Sequence, residues 1–413
     1  MAYDPLKDPD TFKSFDVHKD QAEHASEASS SSKPRPYAPT WRVSEPKSVA
    51  VPITSDEIEQ FKRRSRNPLR DDTQEFQLPV RRKRQDSETG DSSMVAMHYN
   101  QRREVGRDAR EYSPIIPLKR FNNWIKSALI AMYAHSSGTR GKGGRVLDLG
   151  CGKGGDLRKW DRQRPAHMVM IDLATISVEQ AQDRYKEGNY RWPADFFTFD
   201  CFRRPLQDVV PMALLEPKFD TVTMQFCLHY GWDTEESART MLSNVSKWLR
   251  PGGTFIGTIP DEETLFARLD AQPEVTDLSF GNENYRIEFE ERHESGEKPF
   301  GNKYRFWLED AVDDVPEYVV DWATFERLAK EYGMQLIYKA RFDQILSDGY
   351  ANKNLRQLLE RMQVIDPNMA AAGIVTPAMP PAMWEACSMY MDTDSTALYL
   401  GFAFERIVTD DDP

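Results

Sequence analysis

Cysteine is scarce in this chain of 413 residues, and the four present, Cys151, Cys201, Cys227 and Cys387, show no paired spacing of the kind that binds zinc or carries dithiol chemistry. Their scatter fits a reducing compartment. Long apolar runs are lacking too. None approaches membrane-spanning length, and Met1 to Phe15 is polar and charged where a secretory leader would be apolar, so a soluble intracellular protein is expected. Net positive charge is also missing: Lys+Arg 54 against Asp+Glu 66 gives a formal charge of -12. That excludes indiscriminate coating of nucleic acid and confines any such contact to a local, specific patch. The His, Asp and Glu residues show no ligand spacing, so no metal is expected. The length suits two or three average domains or one elaborated α/β domain with a tail.

What is present is a glycine-dense turn, Arg145-Val146-Leu147-Asp148-Leu149-Gly150-Cys151-Gly152-Lys153-Gly154-Gly155-Asp156, between an apolar run and a predicted helix near Asp156 to Arg164. A strand delivering its carboxyl end into such a turn makes a nucleotide site, because glycine lets the backbone approach a ligand closely. Gly150, Gly152 and Gly155 also satisfy G-x-G-x-x-G, a weak match alone. The acids are more selective. A pyrophosphate on the turn would be repelled by Asp148 and Asp156, whereas the sulfonium and ammonium of S-adenosylmethionine suit them. Asp172 closes the next apolar run, Met168 to Ile171, at the spacing where a carboxylate reaches ribose hydroxyls. As isolated residues these Asp side chains could equally be caps or turn formers.

Along the chain, the pattern predicts a disordered tail over residues 1–93, rich in serine, proline and blocks of charge. Its basic clusters, Lys62-Arg63-Arg64-Ser65-Arg66 and Arg81-Arg82-Lys83-Arg84, fit import signals, weak phosphate contacts or solvated charge alike. A folded domain over 94–413 begins with a short helix at Val95 to Asn100. After Pro114 and Pro117 comes a helix striped by Trp124, Ile125, Ala128, Leu129, Met132 and Tyr133. Lys126 at its polar end can meet a ligand carboxylate or stay a surface lysine. Alternation then predicts parallel strands at Arg145 to Leu149, Met168 to Ile171, Phe196 to Phe199, from Phe219 through Gln225, and at Thr254 to Ile259 after a Pro251-Gly252-Gly253 stop. Two more strands, Met334 to Phe342 and Ala397 to Phe404, follow a helix at Trp322 to Tyr332. Residues 261–320 break the alternation. Phe280 to Asn282, Tyr285 to Phe289 and Lys303 to Leu308 read as an inserted antiparallel lobe that could wall a substrate pocket or merely cover the sheet. The segment Arg361 to Pro381 fits a flap or a loose connection.

Four blocks, taken in order, are more specific: Asn122-Asn123-Trp124-Ile125-Lys126-Ser127, Val146 through Leu157, Gln225-Phe226-Cys227-Leu228-His229-Tyr230, and Val315-Pro316-Glu317-Tyr318. From about Val95 to Arg406 the chain resembles the eukaryotic mRNA cap guanine-N7 methyltransferases. The resemblance implies a class I S-adenosylmethionine-dependent methyltransferase, with a Rossmann-like, mostly parallel sheet of seven strands. It implies that Lys126, Gly150, Asp172, Asp200 and Gln225 hold the cofactor with Tyr230 beside it, and that Asn122, Asn123, Lys153, Lys159, Arg184, His229, Glu317 and Tyr399 hold the cap. On that reading Lys126 meets the methionine carboxylate, Asp172 the ribose and Asp200 the adenine amino group. Glu317 accepts from guanine N1 and its exocyclic amine, and Lys153, Lys159 and Arg184 face the triphosphate. Phe202 stands where some members carry tyrosine.

The implied partner is the 5′ end of capped RNA, met by a nuclear monomer. Other capping enzymes and the RNA polymerase II C-terminal domain are further candidate partners, and no membrane is involved. Guanine N7 loses no proton on attack, so the expected role of His229, Tyr230 and Glu317 is positioning, with no catalytic acid or base. The rival readings are a class I methyltransferase with another substrate, a catalytically inactive cap- or RNA-binding module and, more remotely, a nicotinamide oxidoreductase.

Overall fold

Seven strands lie in the order β10-β11-β5-β4-β1-β2-β3, and the computed structural model describes residues 91–101, 112–134, 143–365, 377–380, 383 and 397–408. The tail expected over 1–93, apart from its last three residues, lies outside the described residues, as does most of Arg361 to Pro381.

In chain order the main elements are α1 (Asp91–Gln101), α2 (Ile116–Tyr133), β1 (Arg145–Leu149), α3 (Leu157–Gln163), β2 (His167–Asp172), α4 (Thr175–Glu187), β3 (Ala194–Thr198), β4 (Phe219–Gln225), α5 (Glu235–Trp248) and β5 (Leu249–Pro260). Then come α6 (Glu262–Asp270), β6 (Ser279–Gly281), β7 (Tyr285–Phe289), β8 (Lys303–Leu308), β9 (Val312–Tyr318), α7 (Trp322–Glu331), β10 (Met334–Arg341), α8 (Phe342–Ala351), α9 (Lys353–Arg361) and β11 (Tyr399–Arg406). Strands β1 to β5 are parallel, while β11 runs antiparallel between β5 and β10. The order reverses between β1 and β4, the crevice in which open α/β sheets bind ligands.

The strands are apolar on both faces because helices cover both. Trp124, Ile125, Ala128 and Leu129 of α2 pack on one side, and Ala238, Met241, Leu242 and Val245 of α5 on the other, all fully buried. Helix starts follow local chemistry. Thr234 accepts from the Ser237 amide ahead of two glutamates, and Asp321 accepts from the Thr324 amide at 2.7 Å.

Several boundaries differ from the sequence expectation. Pro117 does not precede α2 but sits in its first turn, where its missing N–H costs nothing. Pro251-Gly252-Gly253 lies inside β5: the helix has already ended at Trp248, and the pairing slips between Phe219 with Leu249 and Thr221 with Thr254, so these residues loop out as an irregularity. Strand β3 starts two residues earlier than its aromatic run. Phe342 opens α8 instead of closing β10.

The lobe is a four-stranded antiparallel sheet, β6-β7-β8-β9. The pattern alone missed β9 because Pro316 interrupts it. At the sheet edge that proline is tolerated, since an edge strand has one row of N–H groups with nothing to pair.

Candidate active site

A cavity of roughly 350 Å³ opens where β1, β2, β3 and β4 end, roofed by Asp91, Val95 and Tyr99 of α1 and flanked by Pro316 and Tyr318 of the lobe. Its floor is the glycine turn. Gly150 has φ +77°, and a Cβ there would lie 2.4 Å from Cys227 Sγ, so only glycine lets β1 and β4 converge here. Gly152, at φ +50°, has nothing within 4 Å of its missing Cβ, which leaves bare backbone facing the cavity.

Asp172 is fixed by that backbone: Gly152 N–H donates to Oδ2 at 2.7 Å and Ala174 N–H to Oδ1 at 2.9 Å. Burial pushes its carboxyl up, and the two amides partly counter it. Each oxygen retains a lone pair for a further donor. Cys151, Cys201 and Cys227 line the same space, but burial raises all three thiols, which keeps them protonated and unreactive.

Beside the turn, Asp156 receives two lysines. Lys126 Nζ lies 2.8 Å from Oδ1 and 3.0 Å from Oδ2, and Lys159 Nζ lies 2.6 Å from Oδ1 while also donating to Asn123 Oδ1 at 2.7 Å. The partners are pushed differently. Burial takes Lys159 down to about 8 even beside Asp156, because Lys126 adds a second cation. Asp156, opposed by burial as well, is held well below the usual carboxylate range by both lysines. Two cations on one carboxylate leave a positive charge over, and Lys126 lines the cavity.

At the end of β4, Gln225 is held between Thr223 and Thr258 with its side chain on the cavity. The next residue, Phe226, takes φ +60°, a strained conformation for a bulky side chain. The turn aims its ring edge-to-face at Tyr399, 5.2 Å between centroids, and beneath the Lys126 ammonium at 5.9 Å.

A short 3₁₀ turn, Leu228–Gly231, then presents His229 and Tyr230 to the lobe. Tyr230 Oη donates to Glu317 Oε1 at 3.0 Å, and Tyr304 Oη donates to Oε2 at 2.9 Å from directly across the β8 to β9 pairing. Burial, then the Glu317 carboxylate, pushes both phenols well up, so they remain donors throughout the physiological range. His229 is 2 % exposed. Its Nε2 lies 3.4 Å from Glu317 Oε1 without hydrogen-bond geometry, and among the described residues both ring nitrogens lack a hydrogen-bond partner. The roof is tied on by polar contacts: Asp91 accepts from Tyr318 Oη and pairs with Lys303, Tyr99 Oη is 3.2 Å from Tyr230 Oη, and Asn100 Oδ1 accepts from Ile176 N–H.

Of the residues singled out in the sequence, the cavity is lined by Lys126, Gly150, Lys153, Asp172, Arg184, Asp200, Gln225 and Tyr230. Asp200 Oδ1 accepts from the Phe202 amide at 3.1 Å. Asn122 is half-buried on α2, while Asn123 and Lys159 stand one shell behind the lining through Asp156. His229, Glu317 and Tyr399 cluster behind Tyr230 and Phe226. Sequence reasoning missed Tyr304, Phe226, Asp91 and Tyr99. Only strand register brings Tyr304 to Glu317.

The parallel sheet with one reversed strand, its glycine turn after β1 and a carboxylate closing β2 make up the fold of class I S-adenosylmethionine-dependent methyltransferases. A family model for the mRNA (guanine-N(7))-methyltransferase domain matches residues 82–407, and the chain belongs to that family. An mRNA cap guanine-N(7) methyltransferase of Cryptococcus neoformans is 46% identical over 318 residues, which are 76% of this chain and 48% of that protein. The one from Schizosaccharomyces pombe is 40% identical over 315 residues, 76% of this chain and 82% of its own length. For mRNA cap guanine-N(7) methyltransferase 1 of Oryza sativa the figures are 40% identity, 67% and 74%. The chain thus spans about half the length of the Cryptococcus relative and most of the other two. Among solved structures, the CcbJ methyltransferase from Streptomyces caelestis aligns over 78% of this chain and all of its own at 13% identity, with a TM-score of 0.41, a likeness that decides nothing further.

Proposed function

We propose that the chain transfers a methyl group from S-adenosylmethionine to N7 of the terminal guanosine of capped RNA. The observation that carries the reading is Glu317: a carboxylate 4 % exposed, held on both oxygens by neutral phenols, one of which also lines the glycine-turn cavity. Phenols orient this carboxylate without neutralising it. Its oxygens therefore retain lone pairs for a base edge that presents donors, as guanine N1 and the exocyclic amine do.

The residues also fit the methyl donor. Bare backbone at Gly152, lone pairs on Asp172 and the surplus cation at Lys126 suit a nucleoside bearing an amino-acid tail. When bound, S-adenosylmethionine supplies an electrophilic methyl group. Asp172 would take the ribose hydroxyls, Lys126 the tail carboxylate, and Asp200 and Gln225 the base and its surroundings. Lys153 and Arg184, at the cavity wall, would face the phosphates, and Asn122, Asn123, Lys159 and Tyr399 would support the cap side. N7 offers a lone pair and releases no proton, so His229, Tyr230 and Glu317 act by holding the purine and excluding water, without an acid or base.

The same reading puts the work in the nucleus, by a monomer, with other capping enzymes and the RNA polymerase II C-terminal domain as candidate neighbours. Incubation with S-adenosylmethionine and a GpppG-capped RNA, followed by nuclease digestion and mass spectrometry, should yield 7-methylguanosine. Unmethylated cap at high enzyme concentration would refute the activity.

A further inference from the structure

Beyond Arg184 at the cavity wall, one face gathers aromatic rings and arginines that the proposed reaction does not use. We infer that this face, formed by α3, α4 and the turn into β3, carries the single-stranded RNA that follows the cap. The inference rests on the cap-methyltransferase reading for the identity of its ligand.

The face is continuous with the cavity. Arg184, on the cavity wall, and Arg158, on α3, both act on Tyr190, whose hydroxyl receives the Arg158 guanidinium. The Tyr190 ring is half-buried, stacked on Tyr185 at 5.7 Å and 28°, and backed by Trp192 at 5.2 Å. Trp192 is itself pinned by donating to Asp161 Oδ1 at 3.0 Å. A partly exposed ring fixed by its neighbours can serve as a stacking platform, and a neighbouring guanidinium adds a cation.

From Arg158 the positive charge continues away from the cavity. Arg162 stands one helical turn along α3, and Arg361 of α9 is close enough to act on it. Arg158, Arg162 and Arg361 are exposed, and among the described residues none forms an ion pair with a carboxylate. Of the acids on these elements, Asp183 pairs with Lys186 and Asp195 with His167, while Asp161 accepts from the neutral indole of Trp192. On a chain of net charge -12, a line of exposed arginines without ion-pair partners among the described residues suits an external polyanion. A phosphate backbone leading out of the cavity past an aromatic platform satisfies both the charge and the rings.

The test compares two substrates on the full chain: the cap dinucleotide GpppG, which ends at the cavity, and a capped single strand of about 20 nucleotides, long enough to cross such a site. Wild type should show a lower KM for the longer RNA, and the advantage should shrink as salt rises. In Arg158→Glu/Arg162→Glu/Arg361→Glu, KM for the long RNA should rise at least about tenfold at low salt. Tyr190→Leu should raise it about fivefold or more. Both variants should keep their kcat and their constants for GpppG within about twofold, which also shows that they fold.

Equal changes for both substrates, no change for either, or a wild type without length preference would overturn the track. So would binding of a phosphorylated acidic peptide that is lost in the triple variant while RNA binding is kept. If wild type methylates neither substrate, yet fluorescence anisotropy shows the long RNA bound and released in the triple variant, the track stands and the methyltransferase reading fails.

Discussion

Asp156 and Glu317 are both buried carboxylates beside one cavity, and they are satisfied in opposite ways. Asp156 meets two ammonium groups, from residues 3 and 30 positions away in sequence. Glu317 meets two phenols, 13 and 87 positions away, and a histidine without hydrogen-bond geometry. The first arrangement consumes its anion, since the charge is matched within the protein and serves to place Lys126. The second gives its carboxylate only neutral donors, which suits the substrate role proposed for it.

That contrast can be broken at several points. Asp156→Asn would strand Lys126 and Lys159 beside each other, and a loss of about 3–5 kcal/mol in urea unfolding is expected. Its acid signature should disappear as well. The folded carboxyl lies below its ordinary 3.8, so its contribution is complete at neutral pH and is lost as pH falls below about 4; the variant should show a shallower decline there. Glu317→Ala should lower cap methylation by roughly a hundredfold, about 3 kcal/mol, while calorimetric affinity for S-adenosylmethionine stays within a few-fold. Equal loss of both would mean that Glu317 holds up the whole cavity and is no substrate contact.

Asp172→Ala, in contrast, should weaken S-adenosylmethionine by about 10- to 100-fold through loss of the carboxylate and release of the Gly152 amide, with cap affinity the less affected. The gentlest effect is alkaline. Lys159 in the fold titrates near 8, below its ordinary 10.5, so the unfolded chain holds the extra proton between those values and stability should rise with pH across that window. Lys159→Met should remove that slope, and urea unfolding at two alkaline pH values would detect it.

The two regions also differ in how openly the sequence showed them. Gly150, Asp172 and the strands around them were readable because each signal is local: an apolar run, a glycine, an acid at a fixed offset. Glu317 was reached only through resemblance, since its partners come from another sheet and a 3₁₀ turn, and β9 was hidden by Pro316. Tyr304 needed the register that pairs it with Glu317, and Phe226 needed a backbone angle that no side-chain pattern reports. The boundary of β5 was misplaced for a related reason. Pro-Gly-Gly reads as a terminator, yet a shift in pairing absorbs it inside a strand.

Helix α1 roofs the cavity with no residue fully buried, and its ties include Asp91 to Tyr318 and Lys303, Tyr99 to Tyr230, and Asn100 to Ile176. Because Met94, Val95, Ala96 and Tyr99 are only partly covered, opening the helix re-exposes less apolar surface than unfolding the sheet below it and costs correspondingly less. In deuterium exchange, its amides should therefore label long before those of β1 or β4 in the free protein. Ligand that contacts Tyr99 or Asp91 would slow them, making this helix the most sensitive reporter of occupancy in the molecule.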